Sequence, residues 1–292
     1  MKKMIPLILI LCLLLSGCGK EEPSAGTTLP PQQSQPALQE TASPTDAEGI
    51  LDPDTQIIYC LVKMIVTNDQ GQELWGRDYT YDDTGFCISE REYSNIGATS
   101  YSRVNTPDML GRIESSVFTE SDSSTYTVTY TYDNQNRCVR EDVTYEDGTA
   151  EYTEYTYNEQ GNYLTLRQFI GDELVVDYAF SYTYDGSGNQ MSMDEYLFGD
   201  LMYHVAMEYD DQGREISSVT NLVNGEIQSR TESSWDGLTE TRLYFSGTDQ
   251  EPFMVSVFTY DDNGNVVFEE TRQGDTVLNR AEYIYEPFEV KK

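Results

Sequence analysis

Histidine is all but missing from this chain. His204 is the single one among 292 residues, so neither a histidine-based catalytic triad nor a histidine-rich zinc site can be assembled. Its position, out of phase with Tyr203 and Val205 in an alternating stretch, predicts an exposed strand residue. Basic residues are scarce as well: 18 Lys and Arg stand against 51 Asp and Glu, a formal charge of −33. That deficit argues against a nucleic-acid partner, because phosphate contacts need basic surface, and it fits a solvated, self-repelling exterior. Cys-X-X-Cys pairs and a glycine-rich phosphate loop are absent. The acids form no pair placed for acid–base work. No catalytic residue, metal ligand or cofactor site is therefore assigned, and the chain reads as a non-enzyme.

Long hydrophobic runs are limited to one, at the start. Lys2 and Lys3 precede the apolar stretch Ile5 to Leu15, and residues 1–17 read as a signal peptide. Leu15-Ser16-Gly17-Cys18 resembles the lipobox of bacterial lipoproteins, which implies that Cys18 carries the lipid anchor and becomes the mature N-terminus on the extracytoplasmic side of a cell membrane. Residues 18–55 are rich in Pro, Ser, Thr, Gln and Glu without apolar periodicity and read as a disordered linker. A tether of about 35 residues spans roughly 30 to 35 Å.

Paired cysteines are lacking too. Cys12 lies in the signal and Cys18 takes the lipid, leaving Cys60, Cys87 and Cys138. Cys87 and Cys138 occupy one repeat position two units apart, roughly 19 Å on a continuous sheet and beyond the ~7 Å a disulfide tolerates. Three reduced, partly buried thiols are expected.

What the chain has in abundance is tyrosine in a repeated phrase. Tyr81-Asp82, Tyr132-Asp133, Tyr157-Asn158, Tyr184-Asp185, Tyr209-Asp210, Trp235-Asp236, Tyr260-Asp261 and Tyr285-Glu286 mark one place in successive units. From Tyr132 the spacings are 25, 27, 25, 26, 25 and 25 residues, and the gap of 51 before it holds a degenerate copy, Val104 to Arg112, which keeps the turn glycine and loses the tyrosine. A fixed period of this size means stacked supersecondary units. Each unit carries a second turn signal about halfway, such as Asn95-Ile96-Gly97, Gly199-Asp200 or Asn224-Gly225. Two turns per period leave two strands. Residues 56–292 are accordingly expected to be all-β, an antiparallel meander of stacked β-hairpins in about nine units of about 25 residues, forming a curved or spiral single sheet of about seventeen strands.

The strands have readable faces. Tyr126, Val128, Tyr130 and Tyr132 alternate with Thr127, Thr129 and Thr131; Tyr178, Phe180, Tyr182 and Tyr184 alternate with Ala179, Ser181 and Thr183. An aromatic side of this size calls for shelter from water, and most of it reads as core. After the turn, Ile88, Val139, Leu164, Met191, Ile216 and Val267 fall seven residues beyond the marker and read as the second strand's apolar position. The acidic turns Asp210-Asp211-Gln212-Gly213 and Asp261-Asp262-Asn263-Gly264 lack the spaced ligand series of a calcium loop and read as turns stabilised by their own side chains.

Tyr130-Thr131-Tyr132-Asp133, Tyr182-Thr183-Tyr184-Asp185-Gly186-Ser187-Gly188-Asn189 and Thr259-Tyr260-Asp261-Asp262-Asn263-Gly264-Asn265 resemble the YD repeat of Rhs proteins and teneurins. The likeness covers Tyr59 to Tyr285. It implies hairpins wound into a spiral β-shell, which in that family sometimes encloses a toxin, and a part in cell-surface contact and carbohydrate binding. The expectation is a lipid-anchored bacterial surface protein with a binding or adhesion role towards a glycan or protein at the envelope, with Tyr182, Tyr184, Tyr209 and Trp235 as the candidate ligand platform. A structural envelope protein without a soluble ligand, or a remnant of a YD-repeat toxin-delivery system, is the alternative.

Overall fold

A computed structural model of the chain describes residues 55–94 and 100–291. The signal peptide, Cys18, the linker up to residue 54 and the Asn95-Ile96-Gly97 turn lie outside the described residues. Eighteen strands follow one another among the described residues. The first nine are β1 (Thr55–Thr67), β2 (Glu73–Tyr81), β3 (Cys87–Ser94), β4 (Tyr101–Pro107), β5 (Ile113–Glu120), β6 (Thr125–Tyr132), β7 (Cys138–Tyr145), β8 (Ala150–Tyr157) and β9 (Tyr163–Ile170). The second nine are β10 (Glu173–Tyr184), β11 (Gln190–Leu197), β12 (Asp200–Tyr209), β13 (Glu215–Leu222), β14 (Ile227–Asp236), β15 (Thr239–Ser246), β16 (Met254–Tyr260), β17 (Val266–Gln273) and β18 (Thr276–Lys291).

Each strand pairs antiparallel with its sequence neighbours, and the first pairs with the last. The meander therefore closes into a barrel, where the sequence led us to expect a curved or spiral single sheet. The seam is long: β1 and β18 stay in register from Thr55 opposite Lys291 to Thr67 opposite Arg280, with one irregularity at Leu61/Lys63. Closure removes the two rows of unpaired amides and carbonyls that an open sheet would expose. It also needs an even strand count when first and last strands meet antiparallel, and the eighteenth strand supplies it.

Strand alternation puts the aromatic side inward. Val128, Tyr130, Tyr178, Phe180, Tyr203, Val205 and Met207 are buried, whereas Thr129, Thr131, Ser181, Thr183 and His204 are exposed. Phe118, Val128 and Tyr130 form one packed cluster with Tyr101, Ile113, Tyr126, Tyr132, Cys138 and Val143 around them. Met64, Val66 and Ala281, with Trp75 and Tyr283, pack a second across the seam. Cys60, Cys87 and Cys138 are free thiols, the first buried and the others half-buried.

The Tyr-Asp phrase folds the same way at residues 82, 133, 158, 185, 210 and 261, whereas Trp235-Asp236 runs into the two-residue turn Gly237-Leu238 and Tyr285-Glu286 stays within β18. The Asp amide donates to the carbonyl four residues on, and the amide three residues on donates back to the Asp carbonyl, as in Asp82 with Phe86 and Gly85, or Asp210 with Arg214 and Gly213. The Asp carboxylate then accepts the amides two and four residues later: Thr84 and Phe86, Gln135 and Arg137, Gln212 and Arg214. The fourth turn residue must sit at positive φ, which is why it is glycine at 85, 188 and 264 and asparagine at 136. The degenerate copy keeps this turn through Asp108 with Pro107 in the tyrosine's place.

A β-bulge follows the turn, and it overturns one expectation. Tyr132 pairs with Cys138 and Thr131 with Arg140, so Val139 is skipped; likewise Ile88, Leu164, Met191, Ile216 and Val267 are the skipped residues of their strands. None of the six is buried. An extra residue on one strand leaves the ladder without a direct partner, so the side chains read as the second strand's core position are its unpaired ones.

Candidate functional site

Two adjacent Tyr-Asp turns, β10–β11 and β12–β13, enclose a cleft of about 700 Å³ at one rim of the barrel. Asp185, Ser187 and Asn189 form one wall, Tyr209, Asp210, Asp211, Gln212 and Gly213 the other, with Glu208, Met191 and Ile216 completing the lining. The two apolar members are bulge residues, left pointing into the cleft's neighbourhood because the ladder skips them.

The carboxylates of the cleft divide into committed and uncommitted. Asp185 accepts the Ser187 and Asn189 amides and the Asn189 side chain, at 2.8 Å each, and these bonds hold its carboxyl below the usual range. Asp210 accepts the Arg214 and Gln212 amides at 2.9 Å and pairs with the Arg214 guanidinium at 2.7 Å, which lowers its pKa likewise. Glu208 and Asp211 have no hydrogen-bond or ion-pair partner among the described residues. They are the acceptors the cleft has to offer, together with the amide of Gln212 and the hydroxyl of Ser187. In the related turn at Asp261 the carboxylate oxygens are taken up by Asn263 and Asn265.

The four aromatic residues expected to form a platform all lie half-buried on the inward face. Only Tyr209 lines the cleft. Tyr182 donates its hydroxyl to the Tyr163 carbonyl at 2.8 Å, and the Tyr184 hydroxyl accepts from Asn158 and Asn162 at 2.7 Å each; the two rings are 6.3 Å apart. Trp235 stacks on Tyr260 at 5.4 Å and lies beneath Arg214, 4.8 Å from its ring centre. Arg214 thus ties the Tyr209 turn to Trp235 in the next unit. The same device recurs where Arg112 covers Tyr132 and Arg137 covers Tyr157. Marker tyrosines are also anchored by their hydroxyls, Tyr81 to the Leu61 carbonyl, Tyr132 to Ile113 and Tyr157 to Cys138.

Buried acids are the feature that the sequence reading missed. Glu90 receives Arg77 at 3.2 Å and Arg103 at 2.8 Å. Glu240 receives Arg242, Ser233 and the Tyr260 hydroxyl. Glu195 is different: it is 0% exposed, and neither carboxylate oxygen has a partner. Phe180 and Tyr203 stand directly opposite it on the two neighbouring strands. Burial pushes its carboxyl up to about 7, and does the same to Glu141. Sealed from solvent, Glu195 cannot touch a ligand in the cleft. For Glu90 and Glu141 the signal was present in the sequence, glutamate two residues past the bulge, but it becomes visible only once the skipped residue is counted; Glu195, four residues past the skipped Met191, follows no such spacing.

His204 is exposed and its Nδ1 meets Asp194 at 2.6 Å. Among the described residues no group of three or more His, Cys, Asp or Glu side chains could hold a metal ion.

No protein-family model matches the chain, and no curated protein matches it. Among solved structures it is similar to the crystal structure of TcdB2-TccC3-Cdc42, with a TM-score of 0.36 and 12% identity over 80% of this chain and 16% of that one. It is also similar to a porin-like protein from Bacteroides uniformis, with a TM-score of 0.41 and 8% identity over 77% of this chain and 98% of that one. The chain spans about one sixth of the length of the first of these.

Proposed function

We propose that the chain is a lipid-anchored binding protein of the bacterial envelope, held at the extracytoplasmic membrane surface through Cys18 and taking a glycan at the rim cleft without catalysing a reaction. The observation that carries this reading is the pairing of uncommitted acceptors, Glu208 and Asp211, with a tyrosine edge, Tyr209, in a cleft of about 700 Å³. Sugar recognition draws on such a set: acceptors and amides for hydroxyls, an aromatic face for the ring. The repeat phrase, which resembles that of a family implicated in carbohydrate binding, supports the same reading. A glycan array followed by calorimetry tests it. Asp211→Asn and Glu208→Gln should weaken the best hit while circular dichroism stays unchanged, and silence of the whole array with a folded protein would sink the glycan reading. Cys18→Ser should abolish labelling by radioactive palmitate and release the protein from the membrane fraction.

A structural envelope role without a soluble ligand is the second reading. The internal commitment of Tyr182, Tyr184 and Trp235 favours it. A tight crosslinked partner together with an empty array would decide for it.

A further inference from the structure

The two rims of the barrel differ. The Tyr-Asp turns lie at one, and both ends of the described chain are there too, since Thr55 pairs with Lys291 next to the β2–β3 turn, where Gly85 meets Ile58 and Val290. The opposite rim is made of the other hairpin tips. Four consecutive tips there carry exposed apolar residues: Ile170 at β9–β10 (56% exposed), Phe198 at β11–β12 (56%), Val223 at β13–β14 (65%) and Phe253 at β15–β16 (49%). The described tips of the other half hold Asn68 to Gln72, Ser121 to Ser124, Glu146 to Thr149 and Gly274-Asp275, none of them apolar.

Phe198 is the telling residue. It sits at φ 50 in the two-residue turn Phe198-Gly199, whose glycine is at φ 87. Such a turn asks for Asn or Gly at its first position, and a bulky residue there is strained. Among the described residues the other two non-glycine residues at positive φ are Ser123 and Asn136, both small and polar. An aromatic ring held in a disfavoured conformation and left half in water gains nothing for the fold.

We infer that this apolar half-rim is a docking surface for a basic amphipathic helix of a partner protein. Size and charge both point there. Tips two strands apart are about 10 Å from one another, so four tips span about 30 Å, the length of a helix of about 20 residues. Asp172, Glu173, Asp200, Glu226, Asp249 and Glu251 flank the apolar tips, and residues 170–174, 197–201, 222–227 and 246–253 contain no Lys or Arg. Arg230, in the adjoining strand, is held by Glu232 and the Asp249 carbonyl. An acidic frame repels an anionic bilayer and a second copy of itself, and it repels the acidic segment that precedes Thr55. It attracts an apolar stripe edged by Lys and Arg.

The test uses the full mature chain and two synthetic helical peptides of about 20 residues with the same Leu/Phe face, one flanked by Lys and one by Glu, read by fluorescence anisotropy. The Lys peptide should bind and the Glu peptide should not. Phe198→Asn with Phe253→Ser should weaken binding at least about tenfold, from the apolar area lost, while Phe198→Asn alone should raise the melting temperature, so loss of binding cannot be laid to misfolding. Met109→Ser with Leu110→Ser, exposed apolar residues of the opposite rim, should leave binding unchanged. The inference is overturned if the Lys peptide fails to bind, if it binds the Phe198→Asn/Phe253→Ser protein equally well, or if the same substitutions instead abolish self-association or binding to phosphatidylcholine vesicles.

Discussion

Replacing Glu195 by Gln removes a charge from the barrel interior without changing its shape, and the consequence can be worked out in sign and size. Both oxygens are buried and unpartnered, and the groups around them, Tyr178, Phe180, Tyr182, Met193, Tyr203 and Val205, bring no cation. Burial raises the folded carboxyl from 4.5 to about 7. A folded pKa above the unfolded one means that the native state holds the proton more tightly. The group's stability is therefore complete below about pH 4.5 and is lost as pH rises through 7. A displacement of this size corresponds to about 3 kcal/mol at pH 8 and under about 1 kcal/mol at pH 5. Glutamine does not titrate, so Glu195→Gln escapes the loss. Its amide also lacks partners, at a cost of roughly 1–3 kcal/mol, but that cost is the same at both pH values. The quantity to measure is thus the difference between the two: ΔΔG from urea unfolding should shift in favour of the variant by about 2–3 kcal/mol between pH 5 and pH 8. Glu141, raised in the same direction, is present in both proteins and cancels. A ΔΔG that does not change with pH would refute the claim that Glu195 is held as a neutral acid.

Other perturbations test other parts of the structure. Arg103→Met leaves Glu90 buried with Arg77 alone on one side, and should cost roughly 3–5 kcal/mol in the same unfolding experiment, whereas Arg167→Met, at an exposed pair with Asp177, should cost less than about 1 kcal/mol. Gly76→Ala would place a methyl 2.8 Å from the Met64 carbonyl oxygen and 2.6 Å from the Tyr93 hydroxyl; the backbone atom cannot yield as a side chain can, so a loss of roughly 1–3 kcal/mol is expected. Burial pushes the Cys87 thiol up to about 11 and Cys138 up to about 12, so Ellman's reagent should react slowly with both in the native protein and rapidly in denaturant. Fast native reaction would mean that the interior is open to solvent.

The period, the turns and the inward tyrosines were legible because each rests on local chemistry: positive φ at Gly85 or Asn136, Asp side chains capping their own turns, and alternation along β6, β10 and β12. Two things were not. The bulge after each Tyr-Asp turn is a property of how two strands pair, and counting seven residues from the marker landed on Val139 and Met191, the residues that pairing skips. Closure depends on strands more than two hundred residues apart, and no local signal in β1 or β18 announces a partner. The platform fared between the two. Tyr209 reaches a cleft, but the hydroxyls of Tyr182 and Tyr184 are spoken for by carbonyls and amides whose positions follow from the same pairing.

Closure also makes a prediction that separates a barrel from an open spiral built of the same hairpins. In an antiparallel strand, successive amides point to opposite sides. If β1 were an edge, every second amide from Lys63 to Val66 would face water and exchange quickly. In the closed barrel Lys63, Met64, Ile65 and Val66 have partners on both sides: Asp78, Arg77, Gly76 and Trp75 on β2, and Ile284, Tyr283, Glu282 and Ala281 on β18. Consecutive amides along this segment should all be protected in hydrogen exchange followed by NMR, and so should those of Arg280 to Glu282, which lie between β1 and β17. Alternating fast and slow amides in either segment would show an open seam. A closed seam also accounts for the burial of Glu195 and Tyr203, which then lie within a wall that has no free edge among the described residues, while the two rims and the threonine-bearing outer face stay exposed.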